Sequence, residues 1–100
     1  MAEVIDDAID FLEKIRAEDE VTIKFRKKDG TERIMRCTLN FDRIPDADKP
    51  KDVSLKKIMN LIRKFKHIHV YDLDKNGWRT VPFDRAEWMD INNQRYRIKA

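Results

Sequence analysis

The strongest constraint on the fold is the run from His67 to Ile91, in which two alternating stretches flank a tight turn signal. Ile68 and Val70 alternate with His67, His69 and Tyr71, Asp74-Lys75-Asn76-Gly77 interrupts, and Trp78 to Phe83 resumes with aromatic and β-branched residues. A period of two sends successive side chains to opposite faces of a strand, and Asn-Gly tolerates positive φ at both central positions of a short turn. The run therefore predicts a β-hairpin turning at Asn76-Gly77. Asp84-Arg85-Ala86-Glu87 breaks the alternation and Trp88 to Ile91 restarts it. A second hairpin follows from Val21, Ile23 and Phe25 alternating with Thr22, Lys24 and Arg26. Lys27-Lys28-Asp29-Gly30 turns that strand into another over Thr31 to Leu39. The inward sets of these strands place Phe25, Met35, Leu39, Val70 and Val81 in the core.

Elsewhere the period changes. Ile5, Ala8, Ile9, Leu12 and Ile15 recur at three- and four-residue spacing, which predicts an amphipathic helix over 3–16 with an acidic outer face. Residues 42–53 combine prolines and charges without periodicity and read as an exposed loop. Ser54 then caps a helix over 54–65 whose apolar side is Leu55, Ile58, Met59, Ile62 and Phe65. Its other side carries Lys56, Lys57, Arg63, Lys64 and Lys66 with no intervening acid. Residues 92–100 end in a short alternating segment that adds an edge strand.

Tyr71-Asp72 leading through a charged turn into Trp78-Arg79-Thr80 and then Asp84-Arg85 resembles the last strands of the WYL-domain family. Residues 21–39 (VTIKFRKKDGTERIMRCTL) resemble the first half of its short phage-encoded relatives, described as Sm-like or Src-homology-3-like barrels. The resemblance covers about two thirds of the chain, in two blocks in the right order, separated by residues 44–66. It implies a small five-stranded Src-homology-3-like or Sm-like barrel, to which the helical spacings add an N-terminal amphipathic helix and an inserted helix where the usual barrel has a loop, a mainly β domain with helices. WYL domains of bacterial regulators are thought to sense nucleotide-like ligands, which favours a nucleic-acid-binding reading over a protein-docking one. Two positions depart from the family pattern: its eponymous Trp-Tyr-Leu falls on Lys66-His67-Ile68, and Pro82 replaces a basic residue after Trp-Arg-Thr.

One hundred residues bound a single domain. Its expected segments are the helix (1–17), the first hairpin (20–41), a loop with the inserted helix (42–66), the second hairpin and last barrel strand (67–91) and the C-terminal segment (92–100). Charged residues make up 41% of the chain, and no apolar run approaches the roughly 20 residues of a membrane span. With no signal-peptide pattern and Cys37 as its one cysteine, the chain reads as cytoplasmic, in the host cell if phage-encoded. Cys37 shares a strand face with Met35 and Leu39 and reads as a core thiol, not a nucleophile. The formal charge of +3 conceals a split: residues 1–20 carry −6 and the other eighty +9.

Catalytic constellations are missing. Ser54 is the only serine and sits at a helix cap, there is no glycine-rich phosphate loop, and His67 and His69 share a strand face without further ligands for a metal. The expectation is a protein that is not an enzyme and needs neither cofactor nor metal. Lys24, Arg26, Lys27, Lys28 and Arg33 are expected to cluster at the first hairpin. Tyr71, Trp78, Arg79 and Trp88 lie on or near the second, with both tryptophans read as core or barrel seam. Cations with interleaved aromatics suit nucleic acid. The reading is a small phage-type regulatory or accessory protein that binds nucleic acid weakly, through Lys56, Lys57, Arg63 and Lys64 with Lys27 and Lys28. The alternative is a protein-interaction factor that docks on and modulates a host protein. An apolar side of helix 54–65 packed on the barrel favours phosphate, and an exposed one favours protein docking. No membrane partner is expected, and the oligomeric state stays open.

Overall fold

The computed structural model describes residues 3–49, 60, 62–64 and 66–99. Among these the chain forms strands β1 (Glu3–Ile5), β2 (Val21–Arg26), β3 (Glu32–Thr38), β4 (His67–Asp72), β5 (Gly77–Pro82), β6 (Ala86–Ile91) and β7 (Gln94–Ile98), with helix α1 (Ala8–Ala17). All seven strands belong to one sheet in the order β1-β7-β6-β2-β3-β4-β5. The five consecutive neighbours β6-β2-β3-β4-β5 are the strands expected from the sequence. They do not close into a five-stranded barrel: the sheet is open, with β1 and β5 at its two ends. The reason lies in the C-terminal segment. Asn92 and Asn93 take φ of 48° and 68°, which returns the chain in a two-residue turn and lays β7 antiparallel on β6. β7 is not the sheet's edge, because β1 pairs with it in parallel, Val4 opposite Arg97.

The N-terminal expectation needs the matching correction. Residues 3–5 are strand, and the helix begins only at Ala8, capped by Asp7, whose carboxylate accepts from Ile9 N at 2.9 Å. Ile5 is fully buried, but from a strand. The helix buries Ala8, Phe11, Leu12 and Ile15, and the Phe11 ring meets Phe83 at 5.5 Å between centroids. Phe11 is the core residue the periodic reading omitted, while Ile9 is only half-buried.

Phe25, Met35, Val70 and Val81 are buried as expected, and Leu39 packs half-buried against them. Cys37 is buried as well, and desolvation pushes its thiol up to about 12, with the Asp72 charge adding to the shift. The loop after β3 is more ordered than its composition suggested. Short 3₁₀ turns cover Phe41–Arg43 and Asp46–Asp48, Ile44 is buried, and Tyr71 Oη donates to Asp48 Oδ2 at 2.7 Å. Trp78 Nε1 donates to the Asp48 carbonyl at 2.7 Å, so this indole sits half-buried at the seam between loop and hairpin. Trp88 is on the outer face of the sheet and not in the core. The helix expected over 54–65 falls mostly outside the described residues; residues 60 and 62–64 are helical, and Ile62 belongs to the core.

Candidate functional site

The two hairpin turns differ from each other and, in one case, from expectation. The first is closed by Gly30 N donating to the Lys27 carbonyl (3.0 Å) and Lys27 N to the Thr31 carbonyl (2.8 Å), with Gly30 at φ 89°. Asp29 accepts from Thr31 N at 2.9 Å, and that bond holds its carboxyl below the usual range. Lys27 and Lys28 are left exposed at the tip. In the second hairpin Gly77 already pairs with Asp72, so Asn76-Gly77 is not a two-residue turn; the connection is Leu73 to Asn76, and of the pair only Asn76 has positive φ. The buried Asp72 carboxylate organises it by accepting from Asp74 N (2.9 Å), Lys75 N (3.1 Å) and Arg33 Nη2. Burial alone would raise Asp72, but the Lys75 N–H, the Arg33 guanidinium and the Asp74 N–H together hold it below its ordinary value.

The basic cluster of the first hairpin is therefore smaller than the sequence suggested. Arg33 faces inward to Asp72, Lys24 bridges Glu32 (3.4 Å) and Glu87 (3.6 Å), and Arg26 pairs with Glu32 at 3.6 Å. Among the described residues Lys27 and Lys28 form no ion pair. They line a groove of about 340 Å³ whose other walls are Phe25 from β2, His67 from the start of β4, Thr80 and Pro82 from β5, and Arg85 from the 3₁₀ turn Phe83–Arg85. His67 and Pro82 are cross-strand partners, so the two departures from the family pattern face each other in this wall. Among the described residues no carboxylate lines the groove.

Arg85 was not among the predicted site residues. Its Nε is buried without a hydrogen-bond partner, and Arg85 forms no ion pair among the described residues. Glu87 Oε2 also lacks a hydrogen bond, but there the Lys24 ammonium compensates the charge. A buried donor with no acceptor is costly, and the Arg85 side chain brings a third positive charge to the groove wall. The sequence carried one signal for it: Arg85 follows Asp84 in the Asp-Arg of the family resemblance.

The remaining predicted cations are partly placed. Arg63 and Lys64 are exposed on the last helical turn, which ends where Lys66, at φ 55°, donates its N–H to the Ile62 carbonyl at 2.8 Å. The Lys66 carbonyl accepts from Phe83 N at 2.9 Å, tying that helix end to the turn that carries Arg85. Arg63 and Lys64 do not line the groove. Lys56 and Lys57 lie outside the described residues. His69 is exposed with its Nδ1 3.1 Å from Thr80 Oγ1. No group of three or more metal-ligating side chains occurs among the described residues.

A family model described as WYL_2, Sm-like SH3 beta-barrel fold, matches residues 8–85. The chain belongs to the WYL_2 family. No curated protein and no solved structure matched it. The WYL_2 match takes in every described residue that lines the groove and ends at Arg85, whereas β1, β6 and β7 lie outside it. Among the described residues no helix is long and apolar enough to cross a membrane.

Proposed function

We propose that this WYL_2 protein is a non-enzymatic regulatory or accessory module, of phage type, that binds nucleic acid weakly through its phosphates and with little sequence preference. The observation that carries this reading is the groove's charge. Lys27, Lys28 and Arg85 line it, and among the described residues no carboxylate does. Phosphate oxygens complement that charge, and cations that release counterions on binding supply affinity whatever the bases are. Arg63 and Lys64 extend the positive surface from the helix end. At the described end of that helix Ile62 is buried while Arg63 and Lys64 are exposed, which supports phosphate over protein docking.

The test is a titration of labelled single- and double-stranded oligonucleotides at low salt, with wild type and Arg85→Gln. Wild type binds both, and Arg85→Gln weakens both by about tenfold, the loss of one charge-assisted contact. Equal affinities for the two proteins would remove the groove from the reading. Absence of binding by wild type would overturn the reading altogether.

A further inference from the structure

A different surface is left open by the strands that lie outside the family match. Lys24, Ile34, Trp88, Arg97 and Val4 form one cross-strand row, since Lys24 pairs with both Ile34 and Trp88, and Arg97 with both Trp88 and Val4. The neighbours Ile23, Met35 and Met89 are fully buried, so the row is on the opposite, outer face, where Ile34 is 60% and Val4 51% exposed. Trp88 sits at its centre, half-buried.

Along β7 the outward residues are Arg95 and Arg97, and Lys99 continues the alternation, each two residues and roughly 6.6 Å from the next. Arg95 is fixed: its Nε and Nη2 donate to the two Asp90 carboxylate oxygens at 2.8 and 3.1 Å, and its guanidinium lies 3.8 Å over the Trp88 ring. Arg97 and Lys99 are exposed and form no ion pair among the described residues. The face thus offers a rigid planar shelf of indole and guanidinium beside a row of uncompensated cations.

A ligand complementary to it has flat apolar faces and a negative charge repeated along its length. That is single-stranded nucleic acid; in a duplex the base faces are already stacked on one another. We infer that the outer face of β6 and β7 is a stacking platform for single strands, with Trp88 and Arg95 receiving a base and Arg97 and Lys99 its flanking phosphates. The platform goes beyond the groove reading, because it adds a second surface and a preference for unpaired strands.

The experiment follows the indole N–H resonances of the two tryptophans, assigned with Trp88→Phe, during titration with a thymidine dodecamer, a duplex of equal length, inorganic polyphosphate and polyglutamate. The Trp88 resonance shifts saturably with the single strand only. Trp88→Ala lowers single-strand affinity at least about fivefold, with Trp88→Phe retaining most of it and duplex affinity unchanged. Lys27→Gln/Lys28→Gln, which alters the groove alone, leaves the Trp88 shift in place. A dodecamer that binds without moving Trp88, or a shift lost in the groove variant, overturns the platform and leaves the groove reading standing. A Trp88 shift with polyglutamate instead of the dodecamer overturns it in favour of an acidic protein partner. No oligonucleotide binding by wild type overturns both readings.

Discussion

In the β2–β3 hairpin the chain turns through Lys27 to Gly30 using backbone bonds and the Asp29 carboxylate, whereas the β4–β5 hairpin turns about the buried carboxylate of Asp72. Both were marked in the sequence by an acid or amide followed by glycine, and each sits between alternating strands. They differ in what happens to their charges. Asp72 consumes Arg33 and two backbone donors from its own turn, so the second hairpin spends its polar groups on the fold. The first leaves two lysines unpaired at a concave wall, where an anion can use them. A turn becomes a site when folding has no further use for its side chains.

The largest effect should come from the wall that serves both core and groove. Phe25 is 5% exposed and lines the groove floor, so Phe25→Ala should cost about 3–5 kcal/mol in denaturant unfolding. An unchanged midpoint would mean that this hairpin contributes no core.

Next comes the centre of the second hairpin. Asp72→Ala leaves Arg33 without its counter-charge and two backbone N–H groups without acceptors, and should cost about 3 kcal/mol. The contribution is also pH-dependent. Asp72 titrates below its unfolded value of 3.8, so the stabilisation is complete above that value and is lost as pH falls through the lower folded one. Stability curves of wild type and Asp72→Asn should converge below pH 3.8; parallel curves would show that Asp72 is not held ionised.

Smaller still, the glycines separate the two turns. Gly30→Ala places a side chain at φ 89° in open space and should cost about 1 kcal/mol, purely from the backbone. At Gly77 φ is not positive, and an added Cβ meets only the end of the exposed Arg79 side chain, at 2.9 Å from the Nη1 that donates to the Trp78 carbonyl, so Gly77→Ala should cost about 0.5 kcal/mol, less than Gly30→Ala. The reverse order of these two values would restore the Asn76-Gly77 turn that the sequence suggested.

Strand existence was legible because alternation reports one buried face, and every expected strand of the two hairpins is present. Closure was not, since it depends on which chain takes the free edge of β6, and Asn92-Asn93 gives that edge to β7. The helix start was misplaced because Ile5 satisfies the helical period and the strand equally well, and only Asp7 marks the boundary. Of the candidate cations, composition could not say which were spent. Lys24, Arg26 and Arg33 look identical to Lys27 and Lys28 in the sequence, and the difference lies in the acids that the fold brings to them. Arg85 was missed for the converse reason, since an unpaired buried nitrogen is a property of packing.

The groove account stands or falls on the salt dependence of oligonucleotide affinity, measured for wild type and Lys27→Gln/Lys28→Gln, two exposed substitutions that should leave stability within about 0.5 kcal/mol. Affinity of the wild type should fall as salt rises, and the variant should bind more weakly, with a log–log slope shallower by about 0.7–0.9 for each phosphate contact removed. A variant with the slope and affinity of the wild type would contradict the account, because the phosphates would then be held somewhere other than the groove.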